Sequence, residues 1–357
     1  MRRHDDKMVD ATGVTVGVDI SDTYSSLCFV DGDGQVLEEG KVRTTKAGLT
    51  RRFTTARCRV VLEVGTHSPW VSRLLAELGH EVIVANPRKV RLIAESDRKH
   101  DRADAEQLAR LGRLDPQLLS PIQHRGIDAQ EDLAIIRSRD SLVATRTTLI
   151  NHASGVVKSH GDRLPPCSTK AFHRRVGTAI PDGLKTSLLP HIELIAHITA
   201  EIEKADTVIE ARITDRYREA RALQQIAGVG PITALTFVLT LEDPARFQQS
   251  RQVGAYLGLT PRQRDSGASS PQLRISKAGD AHVRRLLIAC AHYILGPFGP
   301  DTDLRRWGMR HGAGAKGNAR KRAVVGVARK LAVLLHRLWS TGEVYEPLRA
   351  APQGVPA

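Results

Sequence analysis

Aromatic side chains are scarce, 4 % of 357 residues, and cysteines number only four. Cys28, Cys58, Cys167 and Cys290 stand far apart, with no CxxC pair and no Cys/His ligand spacing. That argues against a zinc ribbon or a disulfide scaffold and suits a reducing, cytoplasmic setting. So few rings also argue against base-stacking platforms of the single-strand-binding kind, so recognition through phosphate and shape is the expectation. Long apolar runs are missing too: those near Leu286–Leu295 and Leu331–Leu335 fall short of the ~20 residues that span a bilayer. The N-terminal MRRHDDKMVDATG mixes both charge signs without the apolar centre of a secretory signal. An apolar content of 41 % is enough for real cores, which excludes wholesale disorder, and the length suggests about two to three domains.

The most informative shortage is of acid near the carboxyl end. The net charge is +14, yet residues 1–112 carry 18 basic and 17 acidic residues and residues 113–220 carry 15 and 14. Residues 221–357 carry 20 and 8. From Leu304 to Gly342 there is no Asp or Glu against Arg305, Arg306, Arg310, Lys316, Arg320, Lys321, Arg322, Arg329, Lys330 and Arg337. A positive field of this kind suits a polyanion, nucleic acid first. A solvated basic tail is the plain alternative, but Val324, Val325, Val327, Leu331, Leu334 and Leu335 interleave with the charges as in a folded basic helix.

Along the chain, GVTVGVDI (13–20), TYSSLCFVD and QVLEEGKVR read as three strands, the last two separated by the hairpin signal Asp31-Gly-Asp-Gly34. CRVVLEVG (58–65) is a fourth strand, SPWVSRLLAELG (68–79) a helix and HEVIVAN (80–86) a fifth strand, with Pro87 opening a helix to about Ser96. The alternation predicts an α/β sheet, and the order βββαβαβα is similar to the ribonuclease-H-like, or RuvC-like, arrangement. After Pro121 apolar residues recur at heptad spacing, Ile135, Leu142, Leu149 and Val156 with Ile136, Val143, Ile150 and Val157 beside them. A second stripe, Leu188, Ile195, Ile202 and Ile209, follows a turn-rich interruption, so two long helices form an antiparallel hairpin or coiled coil. Such a pair packs within one chain or joins protomers. Gly228-Val-Gly230-Pro231 resembles the turn of a helix-hairpin-helix unit, where backbone N–H groups can hold a phosphate. The expected domains are an α/β ribonuclease-H-like domain at 13–120, a helical coiled-coil region at 121–220 and a mainly α, basic domain at 221–345, with a tail at 346–357.

Four acids stand out by position. Asp19 ends the first strand and Glu63 lies near the end of the fourth, while Asp101 and Asp104 are three apart in DRADAEQLARL and share a helix face. In a ribonuclease-H-like sheet the two strands are neighbours, and converging carboxylates repel one another unless a divalent cation sits among them. Mg²⁺ prefers such oxygen donors, and a pair of ions can stabilise attack and departure in phosphoryl transfer. Each acid also has an ordinary explanation: Asp19 capping a turn with Asp22, Glu63 pairing with Arg59, Asp101 and Asp104 beside Arg102 and Arg98. Asp22, Asp97 and Glu106 compete as ligands.

Two blocks of sequence carry a family resemblance. The first is Gly17-Val-Asp19, LEVGTHSPWVSRLLAELGHEVIVANPRKVR (62–91) and Lys99-His-Asp101-Arg-Ala-Asp104-Ala105. The second is LQQIAGVGPITA (223–234), RFQQSRQVGAYLGLTPRQRDSG (246–267) and RISKAGDAHVRRLLIACA (274–291). With these the chain resembles the DEDD transposases of bacterial insertion sequences, the group also described as bridge-RNA-guided serine recombinases. Arg137, Arg146 and Asn151 fit as well. The glycines between Gly296 and Gly317 depart from a simple helix pair, and Gly312–Gly317 reads as a loop that orders on nucleic acid, before a closing helix from Lys321 to Trp339.

The resemblance implies that Asp19, Glu63, Asp101 and Asp104 hold Mg²⁺, with Mn²⁺ as an alternative, and that Ser266 is the nucleophile, attacking a DNA phosphodiester to form a phosphoserine. On spacing alone Ser266 does not stand out from Ser269, Ser270 and Ser276, since a Ser-Gly pair is ordinarily a turn. Candidate phosphate contacts are Arg262, Arg264, Arg274, Lys277, Arg284, Arg285, Lys321 and Arg322. The resemblance also implies a guide RNA from the element's flank, a homo-oligomer (dimer or tetramer) and a nucleoid-associated, membrane-free enzyme acting on donor and target DNA. Two further readings stay open: a RuvC-type structure-selective endonuclease with water as nucleophile, and a non-enzymatic DNA-binding regulator on a decayed nuclease fold.

Overall fold

The computed structural model describes residues 13–54, 56–87, 101–267, 269, 271 and 273–349, the side chains of Asp101 and Ala313 excepted. Chain contacts divide it into two compact units, Met1–Arg125 and Gly126–Ala357.

The first unit is a five-stranded sheet in the order β3-β2-β1-β4-β5. Its strands are β1 (Thr15–Asp19), β2 (Tyr24–Val30), β3 (Val36–Arg43), β4 (Arg59–Glu63) and β5 (Glu81–Ala85). The first three pair antiparallel and β4 and β5 join in parallel, which is the ribonuclease-H-like topology expected. Alternation along each strand sorts side chains to two faces. Val16, Val18, Val60 and Leu62 pack with Leu49 and Phe53 of α1 (Lys46–Phe53) and with Val71 and Leu75 of α2 (Ser68–Glu77). On the other face Val61 and Cys28 meet Ala105, Leu108 and Ala109 of α3 (Asp101–Leu114). The helix expected from Pro87 to Ser96 lies, beyond Pro87, outside the described residues.

The contact between β1 and α3 is unusually close. A β-carbon on Gly17 would stand 1.9 Å from the Ala105 carbonyl oxygen and 2.6 Å from the Ala109 nitrogen. Arg110 and Arg113 donate to the carbonyls of Gly34 and Gly32 in the β2–β3 turn, at 2.8 and 2.9 Å. That turn adjoins Val30, the partner of Thr15 at the start of β1. The helix therefore runs antiparallel to β1, and its first turn reaches the end where Asp19 stands.

In the second unit, α4 (Ile127–Ser159) and α6 (Lys185–Asp215) form the long helical hairpin, with the short α5 (Phe172–Val176) between them. Their register is antiparallel: Arg139 pairs with Asp206, and one turn pair further on Arg146 donates to Thr199 at 3.4 Å. The stripe Leu188, Ile195, Ile202 and Ile209 is buried throughout. On α4 the buried line is Leu133, Ile136, Arg146, Ala153 and Val157, whereas Leu142, Val143, Leu149 and Ile150 are half-buried. A straight helix drifts off a strict seven-residue repeat, so one heptad stripe does not stay on the seam.

Beyond the hairpin, α7 (Arg218–Leu223), α8 (Pro231–Leu241), α9 (Arg251–Tyr256), α10 (Ala281–Leu295), α11 (Asp303–Gly308) and α12 (Asn318–Thr341) enclose a core including Phe237, Val253, Leu287, Val327 and Leu331. No helix among the described residues is long and apolar enough to cross a membrane. Between α9 and α10 the chain leaves the core as a narrow tongue. Lys277 N–H donates to the Gly258 carbonyl at 3.1 Å, Ser276 N–H to Thr260 at 2.8 Å and Arg262 N–H to Arg274 at 3.0 Å. At its base Gly258 (φ +67°) and Gly279 (φ +64°) cross the opposite strand so closely that β-carbons would stand 2.2 Å from the Ala278 nitrogen and the Tyr256 carbonyl oxygen. Arg284 clamps both sides, donating to the Leu257 and Ala278 carbonyls at 2.9 and 2.6 Å.

Two outcomes follow from these contacts. Gly17→Ala forces α3 off the sheet, and chemical denaturation is expected to read a loss of about 1–3 kcal/mol, the usual cost of overpacking. Arg284→Ala unties the tongue, so amide exchange over 259–277 accelerates in hydrogen-exchange mass spectrometry while exchange in α8 and α12 is unchanged.

Candidate active-site elements

Asp19 and Glu63 are the last residues of adjacent parallel strands, immediately after the paired Val18 and Leu62. Both carboxylates are half-buried, as is Asp104 in the first turns of α3. Asp101 begins that helix, and its side chain lies outside the described residues. The backbone thus brings the ends of β1 and β4 and the first turn of α3 to one rim of the sheet. Among the described residues no three His, Cys, Asp or Glu side chains are grouped as a metal cage. The donor chemistry itself fits Mg²⁺, since every candidate at this rim is a carboxylate and hard cations take oxygen ligands.

The ordinary explanations for these acids mostly find other partners. Arg59 pairs with Glu81 at 2.9 Å and donates to the Gly112 carbonyl at 3.1 Å, rather than engaging Glu63. Arg102 pairs with Glu39. Of the competing ligands, Glu106 is held by Arg110 at 2.8 Å, Asp22 is almost fully exposed, and Asp97 lies outside the described residues. The loop after β4 adds a feature that sequence reasoning missed. Trp70 Nε1–H donates to His67 Nδ1 at 3.1 Å, which leaves His67 Nε2 to donate to Asp22 at 3.1 Å. The available signal was the three-residue spacing of His67 and Trp70 just past a strand end.

Ser266 occupies the tip of the tongue. It exchanges two backbone hydrogen bonds with Ser269, at 3.1 and 3.0 Å, across a turn in which Gly267 takes φ +55°. Asp265, Ser266 and Gly267 are exposed, and among the described residues the Ser266 hydroxyl makes no hydrogen bond. Of the alternatives, Ser269 is the other half of the tip, Ser276 is half-buried in the tongue's base, and Ser270 lies outside the described residues. The acids belong to the first unit and Ser266 to the second.

The basic candidates divide into two groups. Arg262, Arg264, Arg274, Lys277, Lys321 and Arg322 are exposed. Arg284 is turned inward onto carbonyls, and Arg285 reaches Asp140 at 2.5 Å. The Gly228–Pro231 turn joins α7 to α8: Gly228 takes φ +92°, and Gly230 precedes α8 without a side-chain cap. It borders a cavity of about 270 Å³ shared with Arg139, Asp140 and His282. Burial, the largest influence, lowers the pKa of His282, against the opposing pull of Asp140.

Comparison with known proteins converges on one family. The model of the transposase IS116/IS110/IS902 family matches residues 220–302, and a DEDD transposase model matches residues 16–161. The chain is 30 % identical over 308 residues to a probable family 20 transposase of Pseudomonas aeruginosa, spanning 81 % of this chain and 86 % of that protein. It is 28 % identical over 337 residues to the transposase for insertion sequence element IS1111A of Coxiella burnetii, spanning 92 % and 90 %. Among solved structures, T. thermophilus RuvC in complex with Holliday junction substrate aligns with 30 % of this chain and 97 % of its own, at 16 % identity and a TM-score of 0.24. With relatives of this identity and coverage, the chain belongs to the IS116/IS110/IS902 family of insertion-sequence transposases, with an N-terminal domain of the DEDD type.

Proposed function

We propose that this transposase cuts and rejoins DNA strands through a covalent phosphoserine at Ser266, assisted by Mg²⁺ or Mn²⁺ held by Asp19, Glu63, Asp101 and Asp104. The observation that carries the reading is the placement of Ser266 at an exposed tip, its hydroxyl uncommitted, between the exposed Arg262 and Arg264 on one strand of the tongue and Arg274 on the other. A serine presented this way reaches a phosphodiester without reorganising its own surroundings.

In the cleavage step the Ser266 Oγ attacks phosphorus. The Oγ–P bond forms as the P–O3′ bond breaks, the hydroxyl proton leaves to solvent and the departing 3′-oxygen takes up a proton. One phosphodiester replaces another, so attack by a new 3′-hydroxyl regenerates the serine and needs no external energy source. The arginines orient the phosphate and offset charge on its oxygens. When bound, a divalent cation supplies Lewis-acid stabilisation of the same oxygens.

The homo-oligomer, a dimer or tetramer, rests on the family resemblance. The guide RNA rests on the family resemblance together with exposed cations, Lys321 and Arg322 among them, beyond those of the tongue.

The test is trapping on a denaturing gel. With labelled DNA and Mg²⁺, the wild-type protein is expected to leave an SDS-resistant adduct, absent from Ser266→Ala, while DNA binding persists. Strand cutting by Ser266→Ala at the wild-type rate, with no adduct from either protein, assigns the chemistry to water at the acidic rim instead. Separately, Arg262→Ala and Arg264→Ala are each expected to reduce the slope of log K against log salt by about 0.9 for duplex DNA, measured by fluorescence anisotropy.

A further inference from the structure

One element of the acid-free segment is not accounted for by phosphate contact alone. After α11 the chain makes a single wide turn, Met309–Ala313, in which His311 leaves the helical region (φ −92°, ψ 23°) and Gly312 takes φ +98°. This turn lays the His311 ring flat on the Trp307 indole, with centroids 4.1 Å apart and planes 21° from parallel. His311 Nδ1–H donates to the Trp307 carbonyl at 2.8 Å, which fixes the ring in that pose. Trp307 is itself held in place: Lys330 Nζ lies 4.8 Å from the ring centroid, and Gly326 lies so near that a β-carbon there would stand 2.9 Å from the indole. The indole is half-buried and the imidazole stacked on it is exposed.

The chain on either side of this stack is rich in positive charge. Gly312 lies beside Ala319 in the first turn of α12, next to Arg320. Arg310, Lys316, Arg320 and Lys321 are all exposed and make no ion pair among the described residues. A rigid, flat, exposed ring in a segment rich in unpaired cations is complementary to a base with its flanking phosphates. A duplex presents no free base face, whereas an unpaired nucleotide does.

We propose that the Trp307–His311 stack is a platform for one unpaired nucleobase of a single-stranded DNA or RNA segment, with Arg310 and Arg320 serving the adjoining phosphates. The inference rests on the nucleic-acid reading above and sharpens it, since it names a strand state that the charge alone does not select. The small number of aromatic residues excludes a run of such platforms but not a single one built from a tryptophan and a histidine.

The test uses the full chain at pH 8 with twelve-residue oligoadenylates of DNA and of RNA containing 2-aminopurine, and with a duplex of equal length. Wild-type protein is expected to quench 2-aminopurine in the single strand. His311→Ala should lose the quench and about 5- to 150-fold in single-strand affinity, the range for one base–aromatic stack, with duplex affinity unchanged. His311→Tyr should restore both. The DNA and RNA arms show which strand type occupies the platform. Wild-type quench and affinity in His311→Ala, or an equal loss on single strand and duplex, overturns the platform and leaves the nucleic-acid reading standing. Failure of the wild-type protein to bind any of these oligonucleotides overturns both.

Discussion

A helix can rest its backbone directly on a strand only where a β-carbon is missing, and this chain uses the same constraint beneath the acidic rim and at the base of the tongue. At Gly17 the third helix rests directly on the first strand, with Ala105 and Ala109 as the opposing small residues. Because that helix also bonds the β2–β3 turn through Arg110 and Arg113, its direction is set, and its first turn arrives at the end of β1 beside Glu63. At Gly258 and Gly279 the same device crosses the two strands of the tongue, and Arg284 closes the junction from beneath. A larger residue at any of these positions displaces backbone, which cannot yield as a flexible side chain does.

Electrostatics acquires a finer grain from the fold. The last third of the chain carries 20 basic residues against 8 acidic, yet some of those cations already have partners within the fold. Arg305 donates to the Ile294 and Gly296 carbonyls at 2.5 and 2.6 Å, Arg306 is paired with Asp301 at 2.6 Å, and Arg285 with Asp140. Most of the others are exposed, and those on the tongue and around the start of α12 include Arg262, Arg264, Arg274, Arg320, Lys321 and Arg322. Charge-assisted bonds to backbone carbonyls are among the stronger hydrogen bonds of a protein, so the half-buried Arg284 and Arg305 stabilise the scaffold, whereas the ion pairs of Arg285 and Arg306 are exposed and contribute little.

Much of the first unit was legible in advance. Alternating Val16, Val18, Val60 and Leu62 announce strands buried on one face, Asp31-Gly-Asp-Gly34 announces the hairpin, and the order of elements predicts the sheet that is found. The helical hairpin was legible in outline through Leu188, Ile195, Ile202 and Ile209. Its first helix was less so, because the line it buries runs through Arg146 and Ala153 rather than the apolar residues at strict heptad spacing. The candidate site was only partly readable. Acids at strand ends are visible in the sequence, but Ser266 looks like any turn serine, and Arg284 looks like one more surface cation.

The sequence by itself determined the class of fold, the positions of the acids on their elements and the concentration of positive charge, because periodicity and composition are local properties. Only the tertiary structure decided which arginines face inward, that Ser266 stands at an exposed tip, and that Trp307 and His311 form one flat surface. Those outcomes depend on where a carbonyl, a β-carbon or a ring from a distant segment happens to lie. No local pattern carries that information.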